Sequence, residues 1–154
     1  MGISQSLSKE IPMIVNFHPK EIPSKKGAEI ISKLNAKGEH SVIHALDKTP
    51  AEWQAIVSSS EKLVFVAPVY WWAAGHEFDK WVQDVFAYGY AFKYNEAGVP
   101  EGILAGRAFE MHLTHGTPMG YAGAMQENMK TRIAQGVFGF CNATVDIQFY
   151  DLQA

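Results

Sequence analysis

The sequence predicts an α/β fold built on a parallel sheet, and three observations carry that prediction. Strand-length apolar runs alternate with amphipathic helical segments in the order β-α-β-α-β-α-β-α-β, which requires right-handed crossovers between parallel strands. The run from Leu63 to Ala67 is apolar throughout and rich in β-branched residues, as in a strand covered on both faces. Start and stop signals fall where the alternation needs them, at His18-Pro19, Ser24, Thr49-Pro50 and Pro68.

Taken in order, Met13 to Phe17 reads as the first strand, stopped by His18-Pro19 because proline has no N–H and restricts the residue before it. Ser24 caps a helix with Ala28, Ile31 and Leu34 on one face. Ser41 to Leu46 forms a weaker second strand. Thr49-Pro50-Ala51-Glu52 then combines an N-cap, proline at the first helical position and glutamate at the third, ahead of a stripe of Trp53, Ile56 and Val57. After the third strand, Phe78, Trp81, Val82, Val85 and Phe86 share one side of a third helix. Gly89 to Gly106 has no periodicity and is expected to be a long loop, a kind that in compact domains usually serves function. Ala108 to Thr114 is the fourth strand, Met125, Met129, Ile133 and Val137 mark a fourth helix, and Val145 to Leu152 is the fifth strand.

The last two strands alternate, with Glu110, His112, Asp146 and Gln148 set against apolar neighbours. A sheet covered on both faces should be continuously apolar there. With the chain stopping after this strand, the final helix is expected to be absent and one side of these strands uncovered.

The 154 residues, 47% hydrophobic and 12% aromatic, suffice for one substantial core. A single domain over 11–154 is expected, behind a disordered polar tail over 1–10. A net charge of -3 with no basic run gives no electrostatic footprint for nucleic acid or an anionic membrane. The lone Cys141 suits a reducing compartment and reads as buried and inert. The N-terminus has no signal-peptide core, and no run of about 18 apolar residues occurs. A cytoplasmic protein without stable membrane insertion is expected.

Ligands of open α/β sheets bind at the carboxyl edge of the strands. Ser24 and the following helix start there could hold a phosphate, or the serine could be an ordinary cap. Pro68, Val69, Tyr70, Trp71 and Trp72 stand where the third strand hands over to its helix, as a ligand wall or as core aromatics. Thr114, His115 and Gly116 begin the turn after the fourth strand. Tyr121, just beyond, is open between a hydrogen-bond donor to a ligand and a plain aromatic at a helix start. His112 and His115 lack the further ligands that a zinc site needs, and His44 and His76 read as surface or sheet-face residues.

Several of these residues resemble the flavodoxin-like NAD(P)H:quinone oxidoreductases, a family that includes DT-diaphorase and the ancillary proteins of potassium efflux. The matching features are His18-Pro19 with Ser24, Pro68-Val69-Tyr70-Trp71, Trp81, Gly89-Tyr90-Ala91-Phe92, Thr114-His115-Gly116, Tyr121 and Phe140-Cys141, spread from Met13 to Leu152. The chain departs from the pattern at Lys25-Lys26-Gly27, Gly75, Gln83 and Thr117, and no histidine follows Tyr121 to pair with it.

The resemblance implies a five-stranded sheet of order 2-1-3-4-5 with flavin, FMN or FAD, at its carboxyl edge. It implies ping-pong hydride transfer from NAD(P)H to a quinone-like acceptor, in a homodimer whose 89 to 106 loop helps form a shared site. On this reading residues 68 to 72 wall the flavin ring, and the turn from Thr114 to Gly116 bonds its polar rim. Gly116 and Tyr121 stabilise charge on the reduced ring, while Ser24 and His18 meet the phosphate. The alternative within the family is a flavin- or nucleotide-binding regulatory subunit with little turnover of its own.

Overall fold

The computed structural model describes residues 13–36, 38 and 40–153. The tail expected over residues 1–10 lies outside the described residues. The elements in chain order are β1 (Met13–Asn16), α1 (Lys25–Leu34), β2 (Ser41–His44), α2 (Pro50–Ser59), β3 (Lys62–Pro68), α3 (His76–Val85), β4 (Phe92–Tyr94), β5 (Pro100–Gly102), β6 (Ala108–His115), α4 (Met119–Lys130) and β7 (Thr144–Asp151). Five strands pair in parallel in the order β2-β1-β3-β6-β7, which is the predicted 2-1-3-4-5 order once β4 and β5 are set apart.

Local signals place the first two helices. Ser24 accepts from the N–H of Gly27, and at Thr49 the side chain and Glu52 cap each other reciprocally. The buried face of α1 differs from the expected one: Gly27 and Ile30 are buried, Ile31 and Leu34 half-buried, and Ala28 exposed. The cause lies beneath the helix, where a Cβ on Gly27 would stand 2.6 Å from Cε1 of His18. The helix turns its smallest residue onto that ring.

The larger core lies on one face of the sheet, where Phe65 of β3 meets Phe17, Phe78, Trp81 and Phe109 with ring centroids 5.1 to 6.3 Å apart. Trp53 joins through Trp81, and its indole N–H donates to the carbonyl of Ala45 at 2.9 Å. The last helix also departs from the expected stripe. Beyond Lys130 it widens into a π-helical segment, Thr131–Gly139, so that Phe138 follows Ile133 into the core and Val137 is left half-buried. The wider turn brings a residue five positions on to the same face.

On the opposite face, Ile14, Val64 and Val66 pack under Ile30 of α1. The polar positions of β6 and β7 bond one another there. Glu110 pairs with Lys62 at 3.1 Å and with Nε2 of His112 at 2.9 Å. His112 Nδ1 meets the Tyr150 hydroxyl at 2.7 Å. Burial pushes the Glu110 carboxyl up, but the bonds from His112 and Lys62 outweigh it and hold it below its ordinary value. This network explains the alternating pattern, since polar groups at a thinly covered position are tolerated when partnered.

The segment expected as a loop from Gly89 to Gly106 contains an antiparallel hairpin, β4 with β5. Its strands are three residues long, too short for periodicity to register. Asn95 builds the turn by accepting from the N–H groups of Ala97 and Val99. The hairpin seats on the chain before β7, where a Cβ on Gly102 would collide with the backbone of Cys141 and Asn142. Gly102→Ala is therefore expected to lower unfolding free energy by about 1–3 kcal/mol in urea titration. A neutral result would show that this backbone contact yields freely.

Candidate active site

Parallel pairing of β3 with β6 sets Pro68 beside Thr114, so the turns leaving these strands emerge side by side. A bond of 2.8 Å from the N–H of Val69 to the carbonyl of Thr114 fastens one to the other. Between them lies a cleft of about 570 Å³, with Val69 to Trp72 on one wall and Gly116, Thr117, Pro118 and Tyr121 on the other.

The first wall is built in an unusual way. Tyr70 and Ala73 exchange both backbone bonds at 2.9 Å, closing a two-residue turn whose central residues are Trp71 and Trp72 at φ 53° and 58°. Positive φ at both centres is the geometry of a type I′ turn, in which Asn-Gly is preferred, and an L side chain there costs roughly 1–2 kcal/mol. Trp71 is 100% exposed, so its side chain gains no packing in return. The turn's internal bonds use the N–H groups of Tyr70 and Ala73. Those of Trp71 and Trp72 have no acceptor among the described residues.

Gly116 and Tyr121 are exposed on the other wall, whereas the side chains of Thr114 and His115 turn inward and are buried. Nδ1 of His115 accepts from the N–H of Thr117 at 3.3 Å, and its carbonyl takes the N–H of Leu152 at 2.8 Å. These two residues shape the turn, and Gly116 presents it.

A second hollow of about 430 Å³ opens at the start of α1, bordered by Ser24, Lys20 and His44 among others. Lys25 and Lys26 occupy the first turn of α1, which holds no acidic residue. Positive charge there opposes the helix dipole and favours an anion, but neither lysine borders the hollow and Lys26 lies 3.9 Å from Glu29. The Ser24 hydroxyl, expected at a phosphate, accepts from the N–H of Gly27 at 2.9 Å and also borders this hollow.

His18 lines this second hollow and is 4% exposed. Its Nδ1 is 3.1 Å from Oδ1 of Asn16, an acceptor, so Nδ1 carries the proton and Nε2 is left to accept from the Thr114 hydroxyl at 3.3 Å. Burial first, and then the neighbouring His44, lowers its pKa from 6.5 to about 4. His44 is half-buried and bolts β2 to this corner. Its Nδ1 accepts from the N–H of Leu46, and its Nε2 donates to the carbonyl of His18 at 2.6 Å. Sequence reasoning missed Asn16, Gly27 and His44; an amide at a strand end and a histidine five residues before the Thr49 cap carry little signal.

A family described as having a flavodoxin-like fold matches residues 13–150, and the chain belongs to it. A relative from Rhizobium meliloti strain 1021, named FMN-dependent NADH:quinone oxidoreductase, is 25% identical over 130 residues, covering 84% of this chain and 62% of the relative. The chain thus spans about three fifths of that relative's length. Among solved structures, an NAD(P)H:quinone oxidoreductase from Methanothermobacter marburgensis superposes with a TM-score of 0.69 at 14% identity, over 93% of this chain and 88% of the other. The general stress protein 14 of Treponema denticola, solved in complex with FMN, gives a TM-score of 0.67 at 14% identity, over 92% and 87% of the two chains. These likenesses establish the fold.

Trp71→Asn should raise unfolding free energy by about 1 kcal/mol, because it places a residue that accepts positive φ at an exposed position; an unchanged or lower stability would mean that the turn is unstrained. For His18, a folded pKa of about 4 against 6.5 unfolded means that the unfolded chain binds more protons between those values. Stability is then fully present above pH 6.5 and falls as pH drops towards 4, by on the order of 3 kcal/mol. Urea titrations across this range should show that loss in the parent protein and its absence in His18→Gln.

Proposed function

We propose that the protein is an FMN-dependent oxidoreductase that takes electrons from NAD(P)H and reduces quinones or related acceptors. The observation that carries this reading is the cleft between the Trp71-Trp72 turn and Gly116, with uncommitted backbone donors on its aromatic wall and an anion-favouring helix start in the neighbouring hollow. A flat ring with a polar rim and a phosphate tail fits that combination. The relative's name supports the choice of cofactor, donor and acceptor.

FMN, when bound, supplies hydride chemistry: NADH and one proton are consumed, NAD⁺ is released, and the quinone gains two electrons and two protons to leave as hydroquinone. The chain's own residues bind and orient. Trp71 and Trp72 cover one side of the ring and exclude water, while the N–H groups of Trp71, Trp72 and Gly116 donate to its rim. The Tyr121 hydroxyl, exposed on the facing wall, donates to charge that develops during reduction. Thr114 and His115 hold the Gly116 turn in place, and Ser24 with the start of α1 receives the phosphate beside His18.

The same reading includes a homodimer. Tyr88, Tyr94 and Phe140 are exposed around Phe92, and the Phe92 and Phe140 rings lie 5.2 Å apart. An aromatic surface of this kind suits a second copy of the chain. Work in the cytoplasm accords with a single free cysteine that is buried and with the finding that no helix among the described residues is long and apolar enough to cross a membrane.

The test uses flavin-free protein titrated with FMN, then NADH, then a soluble quinone. Bound flavin absorbing near 450 nm, bleached by NADH and restored by the quinone, is the expected course. Protein that takes up no flavin would sink the proposal, and flavin uptake without NADH bleaching would restrict it to binding.

A further inference from the structure

We infer that His115 is a positioning residue whose protonation state decides how firmly the Gly116 turn is held beside the ring cleft. The inference rests on the flavin reading above and departs from the expectation that His115 itself bonds the flavin, since its side chain is buried and does not border the cleft.

Among the described residues, three ties hold the turn that leaves β6. The carbonyl of Thr114 accepts from the N–H of Val69 and that of His115 from the N–H of Leu152, both at 2.8 Å. The third is the bond from the N–H of Thr117 to Nδ1 of His115, at 3.3 Å. The first two are made by carbonyls and do not depend on pH. The third requires a bare Nδ1, and hence the neutral ring with its proton on Nε2. A proton on Nδ1 sets one donor against another and cuts the tie. Thr117, the residue so released, lines the cleft next to Gly116, and the loss therefore falls on the wall that faces the tryptophan turn.

His115 lies on the face of the larger core, with its ring centroid 6.3 Å from that of Phe149. On β7 its register partner is Asp151, half-buried, whose Oδ1 takes the N–H of Gln153 at 2.8 Å. On the same face of the sheet, α3 opens with His76, exposed, and Glu77, half-buried. The first turn of α4 brings the exposed Tyr121, and the end of β3 brings Pro68 and Val69, neither of which titrates. Imidazole is the side chain that changes charge between about pH 5 and pH 8, so His115 makes this wall sensitive to pH in that range. Asparagine in its place offers Oδ1 at the same remove from the backbone and makes the same bond to the N–H two residues on, without titrating. Leucine makes no such bond at any pH.

The parent protein should therefore match His115→Asn at about pH 8 and His115→Leu at about pH 5. Fluorescence titration with FMN measures this as the ratio of each dissociation constant to that of His115→Asn, in which titration of the ligand's own phosphate cancels. The ratio for the parent should rise from about one to about fivefold as pH falls, the worth of one modest hydrogen bond, and the ratio for His115→Leu should stay at about fivefold throughout. His18, with its pKa lowered to about 4, stays mostly neutral across this range. A parent ratio that does not change with pH, or a His115→Asn affinity no better than that of His115→Leu, overturns the inference. Proton–nitrogen NMR of the flavin-free protein tests the tie itself and serves if His115→Leu does not fold. The Thr117 amide resonance should shift with pH in the parent and hold still in His115→Asn; a fixed resonance in the parent also overturns the inference. A parent that binds no FMN while its Thr117 resonance shifts as expected refutes the functional reading and leaves the tie established.

Discussion

The pairing of β3 with β6 is the constraint on which the rest of the molecule depends. Leu63 to Ala67 are buried on both faces because the strand lies between helices, and seven residue pairs hold it in register with β6. That register puts Pro68 opposite Thr114 and makes two turns, distant in sequence, into facing walls. A one-residue slip would exchange the faces of β6, sending Glu110 and His112 into the aromatic core and Met111 and Leu113 out of it. Hydrophobic burial thus fixes the separation of the cleft walls, and the site inherits its precision from the sheet rather than from its loops.

Buried polar groups finish what the register begins. His18, His112 and His115 are all buried; both ring nitrogens of His18 and His112, and Nδ1 of His115, bond partners within the chain. The alternative to such bonding is a desolvation cost of about 1–3 kcal/mol for each unpaired group. The same rule gives different outcomes in different places. On the thinly covered face of β6 and β7 it yields a network that replaces apolar packing, whereas at the carboxyl edge it yields cross-strand ties that hold loops.

The sheet order, the caps at Ser24 and Thr49 and the cleft residues from Val69 to Trp72 were legible in the sequence because each rests on a local pattern with a mechanism. Proline at a strand end, a serine before a helix and a continuous apolar run need no tertiary context. The features that escaped depend on contacts across the fold. The face of α1 was misjudged by one residue because the decisive contact, His18 against Gly27, joins a strand end to a helix. The hairpin from Phe92 to Gly102 is held by its Asn95 turn and by backbone packing on Cys141, neither of which a periodicity test sees. The switch from Val137 to Phe138 as the inward residue follows from a π-helical turn, and no residue in that segment announces it. At the site, residue types identified the candidates, but only the geometry separates Thr114 and His115, which shape the turn, from Gly116, which presents it.

The tryptophans show how stability is distributed. Trp53 and Trp81 are buried in the core, while Trp71 is set at positive φ and turned wholly to solvent. Such a conformation persists only if its surroundings over-determine it, and here the paired bonds between Tyr70 and Ala73, together with the tie from Val69 to Thr114, do so. A tryptophan side chain presents roughly 200 Å² of surface. Covering about half of that with a flat ring contributes on the order of 2–3 kcal/mol at about 25 cal/mol per Å². That is close to the strain of the two residues together, roughly 2–4 kcal/mol. On the proposed reading a flat ligand against Trp71 offsets most of that strain, whereas Trp72, 38% exposed, is already largely covered by the fold.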